Sequence, residues 1–160
     1  MNLIVAVDEN WAIGKGGDQL VYISADLKRF RELTTGHPVI LGRKTLATFP
    51  GGRPLKNRRN LILSATLDYA VEGAEVFPDV DSLLAAAPED AFVIGGESVY
   101  RALLDQCDTA YVTKIQATFP ADRYFPNLDQ RPEWRVTEQS DPLEEDGITF
   151  QYVTYRRTTT

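Results

Sequence analysis

Short apolar runs alternate with helical patterns through the first two thirds of this chain. Residues 3–7, 39–41, 61–63 and 92–94 are apolar segments bounded by turn residues or by helical stretches, the pattern of strands buried in a sheet. Between and after them, the spacing predicts helices over 25–35, 43–48, 80–87 and 97–106, with Ser24 capping the first helix and Gly36 closing it. After Cys107 the rhythm changes. Residues 109–116, 133–140 and 148–156 read as longer strands with no helix between them, and so as antiparallel additions to the same sheet. The expected fold is a single α/β domain over residues 1–160: a central, mostly parallel sheet with an antiparallel C-terminal edge and helices on both faces. Loops at 8–23, 49–59 and 118–122 are long enough for a compact domain to suggest function.

On the helix over 25–35, steps of about 100° turn Leu27, Phe30 and Leu33 toward the core, with Asp26 close to the same stripe. Lys28, Arg29, Arg31 and Glu32 take the solvent sides. Two readings of Asp26 follow. An acid in the first helical turn complements the helix dipole, a contribution of about 0.3–1 kcal/mol. Alternatively, partial burial raises its pKa and lets it bind the amidine edge of a ring or manage a proton. In Tyr111-Val112-Thr113-Lys114-Ile115, alternation places the Thr113 hydroxyl on the face of Tyr111 and Ile115. That hydroxyl can support a carboxylate, or Thr113 can simply reflect strand propensity.

Gly95-Gly96 ends one apolar run and opens a helix, so backbone can approach a ligand such as a pyrophosphate, although such a pair also serves an ordinary turn. Gly42-Arg43-Lys44-Thr45 repeats the layout. Arg43 and Lys44 read either as a solvated helix start or, because cations there oppose the dipole, as partners of a bound phosphate. Ser64, ending the next strand, can join this group. Arg53, Lys56, Arg58 and Arg59 form a second basic group, read either as a solvated loop or as a carboxylate clamp.

Composition narrows the classes. The chain has 160 residues, 43% apolar and 25% charged, which suits one soluble core. Its apolar runs fall far short of the roughly 20 residues of a membrane span. The N-terminus lacks the basic flank of a secretory signal, so a cytoplasmic location is expected. A net charge of −6 argues against a nucleic-acid surface. With one Cys and one His, an intrachain disulfide is impossible and a Cys/His zinc site is not expected; Cys107 and His37 read as structural. Gly-x-Ser-x-Gly, Walker and GxGxxG patterns are missing, which removes serine hydrolases, P-loop NTPases and the Rossmann dinucleotide domain.

Taken in order, Ile13-Gly14, Ala25-Asp26-Leu27-Lys28-Arg29-Phe30, Pro38-Val39-Ile40-Leu41-Gly42-Arg43-Lys44-Thr45, Asn60-Leu61-Ile62-Leu63-Ser64 and Val93-Ile94-Gly95-Gly96 resemble the dihydrofolate reductase family. Val99-Tyr100, Tyr111-Val112-Thr113, Asp122 and Phe125-Pro126 extend the match over nearly the whole chain. The resemblance implies reduction of 7,8-dihydrofolate to tetrahydrofolate by NADPH for one-carbon metabolism, in a cytoplasmic monomer of a family that antifolates target. It implies dihydrofolate as the sole partner, with no nucleic acid, no membrane and no metal. By resemblance, Asp26 binds the pterin 2-amino group and N3 and promotes protonation at N5, with Thr113 supporting it. Val5, Leu27, Phe30, Phe49, Leu55, Arg58 and Ile94 complete the substrate site, Arg58 on the α-carboxylate of the glutamate tail. For NADPH the resemblance gives Ala6, Ile13 and Gly14 near nicotinamide; Gly95, Gly96, Glu97, Ser98, Val99 and Tyr100 along the pyrophosphate; and Gly42, Arg43, Lys44, Thr45, Leu63 and Ser64 around the phosphates and adenosine. Asp122 pairs with the loop around residues 14–17.

Two positions depart from the family pattern. Gln19-Leu20-Val21 replaces the usual Leu-Pro-Trp, and Ser98 stands where some relatives carry a cation, so the NADPH preference rests on Arg43. The pyrimidine reductase of riboflavin synthesis shares the fold and the reductant but needs no counterpart of Asp26. A non-catalytic nucleotide-binding module is the alternative outside enzymes.

Overall fold

Because successive side chains of a strand point to opposite faces, the apolar runs supply two cores at once. Leu3, Val5, Val7, Ile40, Leu61 and Val93 gather on one face, whereas Ile4, Val39, Leu41, Ile62 and Phe92 gather on the other. A continuous apolar run therefore needs helices over both faces. The computed structural model describes residues 1–66 and 70–158 and supplies them. The elements run β1 (Asn2–Val7), β2 (Ala12–Gly14), α1 (Ser24–Thr34), β3 (Val39–Gly42), α2 (Arg43–Leu46), β4 (Asn60–Leu63), β5 (Ala74–Phe77), α3 (Val80–Ala86), β6 (Phe92–Gly95), α4 (Glu97–Leu103), β7 (Thr109–Ile115), β8 (Arg123–Tyr124), β9 (Trp134–Gln139), β10 (Leu143–Glu145) and β11 (Ile148–Arg157).

Leu83 of α3 with Val99, Tyr100 and Leu103 of α4 fills the first core; Leu46 of α2 with Phe30 and Leu33 of α1 covers the second. Each fully buried Leu or Ile contributes about 1.5–3 kcal/mol of transfer free energy. Strands β5-β4-β3-β6-β1-β7 lie side by side and are parallel; β11 joins β7 antiparallel and is itself flanked by β9 and β10. The expected fold class is the observed one. In this topology β6 inserts between β3 and β1, so loops leaving their carboxyl ends diverge and open a crevice, as in other open α/β sheets.

Several expectations need correction. Ser24 does not cap α1: it is the first helical residue, and the orphan amides of Ser24 and Ala25 are satisfied by the carboxylate of Glu145, at 2.6 and 3.0 Å. The charge of a remote strand does the work expected of a local hydroxyl. Leu27 is 40% exposed rather than in the core, because the first turn of α1 runs past the cluster that holds Phe30 and Leu33. Arg29 does not lie out in solvent; its guanidinium stacks 4.1 Å over the Tyr152 ring. The helix over 43–48 stops at Leu46, and the one over 97–106 ends in a 3₁₀ turn, Leu104–Gln106.

The loop over 8–23 is pinned from within and without. Buried Asp8 accepts from the amides of Asn10, Ala12 and Phe119 at 2.8, 2.9 and 3.0 Å. The short β2–β8 pairing and the exchange between Asp122 and the backbone of Gly14 and Gly16, at 3.0 and 3.1 Å, tie this loop to the segment before β8. Cys107 is buried, and burial pushes its thiol up to about 12, which makes it inert. His37 contacts Asp90 at 2.9 Å through Nδ1.

Candidate active site

Register brings the chemistry together. Thr113 of β7 lies opposite Ala6 of β1 on one side and Tyr152 of β11 on the other, and it is 1% exposed. Its hydroxyl donates to Oδ1 of Asp26 at 2.5 Å, across 87 residues of sequence. The carboxylate therefore hangs from α1 over the middle of the sheet, held at one oxygen. Burial raises its pKa; the Thr113 hydrogen bond and then the positive charge of Arg29 pull it partly back.

That balance carries a stability consequence. With its folded-state pKa raised above the unfolded value near 3.9, Asp26 holds its proton longer in the native state. Stability is lost as pH rises from the unfolded toward the folded pKa, and the loss is complete above both. Asp26→Asn, which keeps an oxygen for Thr113, is expected to melt higher than the parent at pH 7. The gain shrinks to nothing near pH 3; a pH series of melting temperatures checks this, and a lower melting temperature at pH 7 contradicts it.

Around Asp26 the substrate-side residues divide. Phe30, Phe49, Leu55 and Ile94 share the apolar cluster of Ile4, Leu41 and Phe92, half-buried at its margin, so they form one continuous wall. Val5 is buried in the opposite core, and its side chain is turned away from that wall. Leu27 supplies exposed apolar surface on the same helix. The second basic group does not assemble as one clamp. Arg59 is bound to Glu75 of β5, and Arg53 and Lys56 are exposed. Arg58 alone turns back, donating to the Thr34 hydroxyl at 3.0 Å and the Lys56 carbonyl at 2.7 Å. Burial and then the nearby Arg31 lower its pKa, yet a guanidinium stays charged.

The cofactor-side residues line the ends of β3 and β6. A methyl group on Gly42 would stand 3.1 Å from Cγ2 of Val99, and one on Gly96 would stand 3.3 Å from the Thr45 hydroxyl. Gly95 adopts φ +131°, a region open to glycine, above the Tyr100 ring. Tyr100 is buried and donates to the Ile4 carbonyl at 2.6 Å, so it is the floor of this turn. These glycines thus let α4 pack against the end of β3 and the Thr45 side chain pack against the turn after β6. Arg43 reaches Thr66 at 3.1 Å, beside buried Ser64; Lys44 is exposed, Leu63 and Thr45 are half-buried. Ser98 is exposed, whereas Glu97 is committed to the Tyr124 amide at 2.6 Å and to Arg101. Across the crevice, Ala6 and Ile13 are half-buried and Gly14 is buried. Val21, where an indole was expected, packs with Ala6 against Ile23, Ile115 and Phe150, so it offers no polar group.

Sequence reasoning missed Asp8, Glu145 and Arg29. An Asx-turn signal, Asp8-Glu9-Asn10 directly after a strand, marks the first. Nothing local marks Glu145 or Arg29: the partners of Glu145 are amides of α1, and those of Arg29 are rings of the sheet. Among the described residues no group of His, Cys, Asp and Glu can hold a metal ion, and no helix is long and apolar enough to cross a membrane.

Comparison with known proteins points to one family. The dihydrofolate reductase family model matches residues 1–157. The dihydrofolate reductase of Bacillus subtilis is 34% identical, covering 98% of this chain and 94% of that protein. The type 3 dihydrofolate reductase of Salmonella typhimurium is 36% identical, covering 98% of each. The dihydrofolate reductase of Enterococcus faecalis, solved with NADP(H) and RAB-propyl, superposes with a TM-score of 0.88 at 35% identity, covering 99% of this chain and 96% of that one. This chain belongs to the dihydrofolate reductase family.

Proposed function

We propose that this protein reduces the C6=N5 bond of 7,8-dihydrofolate at the expense of NADPH, giving 5,6,7,8-tetrahydrofolate and NADP⁺. The observation that carries the reading is the Asp26–Thr113 pair: a half-buried carboxylate fixed over the sheet beside an apolar wall. One oxygen accepts the Thr113 hydrogen bond, and the remaining acceptor capacity is free for a flat, amidine-bearing ring. Asp26 binds the 2-amino group and N3 of the pterin and favours the tautomer that takes a proton at N5. Phe30, Phe49, Leu55 and Ile94 hold the rings and keep bulk water off them, Leu27 adds apolar contact, and Arg58 receives the tail carboxylate. Val5 acts from behind the sheet by fixing β1. The protein works as a cytoplasmic monomer, with no nucleic-acid partner.

The residues present fit NADPH. Gly42, Gly95 and Gly96 would offer backbone without side chains to a pyrophosphate, Val99 and Tyr100 pack against that turn, and Glu97 and Ser98 flank it. Arg43, Lys44, Thr45, Leu63 and Ser64 receive the adenosine end, and Ala6, Ile13 and Gly14 border the nicotinamide end. When bound, NADPH supplies the hydride. The cation at Arg43 suits a 2′-phosphate, so Arg43→Ala is expected to weaken NADPH binding by about tenfold to a hundredfold. NADH binding should change little; equal losses place the 2′-phosphate elsewhere.

The reading is tested by adding dihydrofolate to protein and NADPH and following absorbance. Steady oxidation of NADPH with tetrahydrofolate as product supports it. Oxidation only with a phosphorylated aminopyrimidine marks the riboflavin-type reductase instead, and NADPH binding without turnover on either marks a nucleotide-binding module.

A further inference from the structure

Arg29 is the least expected cation of the chain. It sits one turn after Asp26 on α1, and residues three apart on a helix are neighbours. Instead of reaching solvent, its guanidinium is wedged between two rings of the sheet, 4.1 Å from the centroid of Tyr152 and 5.9 Å from that of Tyr111. Those rings flank the Asp26 anchor, since Tyr152 pairs with Thr113 across the sheet and Tyr111 lies two residues before it. One terminal nitrogen, Nη1, is buried with no hydrogen-bond partner. A buried, unpaired guanidinium nitrogen costs stability unless a nearby negative charge offsets it.

The surrounding acids are occupied or exposed. Glu145 of β10 accepts from the amides of Ser24 and Ala25, Glu32 of α1 stands 4.0 Å from Lys28, and Glu138 of β9 is exposed. Glu138 lies on the rim of a shallow depression of about 310 Å³ that Arg29 borders with Gln139, Ser140, Tyr152 and Thr154. The other titratable groups near Asp26 are the hydroxyls of Tyr152 and of Tyr100 from α4, both neutral at physiological pH. Asp26 is the one carboxylate in this set that is both withdrawn from solvent and adjacent on the helix.

We propose that Arg29 is a positioning residue for the reaction: clamped by Tyr152 and Tyr111, its fixed positive charge keeps Asp26 ionised and seated on Thr113 for pterin binding. The inference rests on the reading that Asp26 is the substrate-binding carboxylate. The Arg29 charge lowers the Asp26 pKa against burial, and the Tyr152 hydroxyl feels Asp26 and Arg29 with opposite signs, so the three groups share one electrostatic neighbourhood.

The test reads Asp26 without turnover. Carboxyl carbon NMR of the full chain, with the signal assigned by its loss in Asp26→Asn, gives the ionisation midpoint. In Arg29→Met, whose long apolar side chain can fill the slot between the rings, the midpoint should rise by about one pH unit. The acid limit of dihydrofolate binding should rise with it. Arg29→Gln, neutral but polar, gives the same comparison if Arg29→Met does not fold. Arg29→Lys, which keeps the charge, should restore the parental midpoint. An unchanged midpoint in the neutral variants overturns the proposal, and so does a rise in Arg29→Lys as large as in Arg29→Met, since packing would then be the cause. If instead Asp26→Asn retains full turnover, the role of Asp26 fails, and that result is independent of any midpoint.

Discussion

Asp26→Asn is expected to slow hydride transfer at pH 7 by roughly 10²–10⁴-fold, the range over which a positioned proton-managing group acts. The substitution keeps the shape of the side chain and an oxygen for Thr113, so the loss falls on charge rather than fold. Without that charge the pterin loses its ionic partner at the 2-amino group and N3, and N5 is protonated only as often as solvent allows. Lowering the pH should therefore recover part of the rate, as more substrate arrives already protonated. Single-turnover kinetics from pH 5 to 9 read both effects. The same variant is expected to melt higher, because burial of the Asp26 charge works against stability, the trade expected of a group kept for function.

The second large effect is expected at Gly95. Its φ of +131° is strained for any side chain, at a cost of about 1–3 kcal/mol. A methyl there would meet the Tyr100 ring at 3.5 Å and the Thr45 hydroxyl at 3.7 Å, ordinary contacts, so the cost lies in the backbone. Gly95→Ala should thus lower the melting temperature by several degrees, at roughly 2–4 °C per kcal/mol. It should also weaken NADPH binding by more than about tenfold, equivalent to about 1.4 kcal/mol. Titration of NADPH into the folded variant checks this. Unchanged affinity would remove the glycine turn from the cofactor site.

How much of this could be read from sequence depended on where the partners lie. Strands β1, β3, β4 and β6 were legible because each is buried on both faces and so reads as an unbroken apolar run. Strand β5 was not: Ala74–Phe77 is an edge strand with exposed Glu75 and no buried residue, so it carries no apolar signal. Likewise β2 and β8 are two or three residues held by long-range pairing, and β10 is a mostly exposed edge. Asp26 was legible as a carboxylate beside an apolar stripe, and Thr113 by alternation. Leu27 and Arg29 were misplaced for a shared reason. Helical periodicity gives the direction of a side chain but not what lies beyond it: for Leu27 the core has ended, and for Arg29 two tyrosines from other strands close over it. The Ser24 cap failed because the helix starts at Ser24 itself, whose amide and that of Ala25 are held by Glu145 of another strand.

The most direct test of the central claim follows the hydrogen itself. A single turnover with NADPH deuterated at the transferring C4 position and 7,8-dihydrofolate should give tetrahydrofolate carrying one deuterium at C6, with the N5 proton drawn from solvent. Tetrahydrofolate without deuterium at C6, or no tetrahydrofolate from folded protein that binds NADPH, would contradict the account.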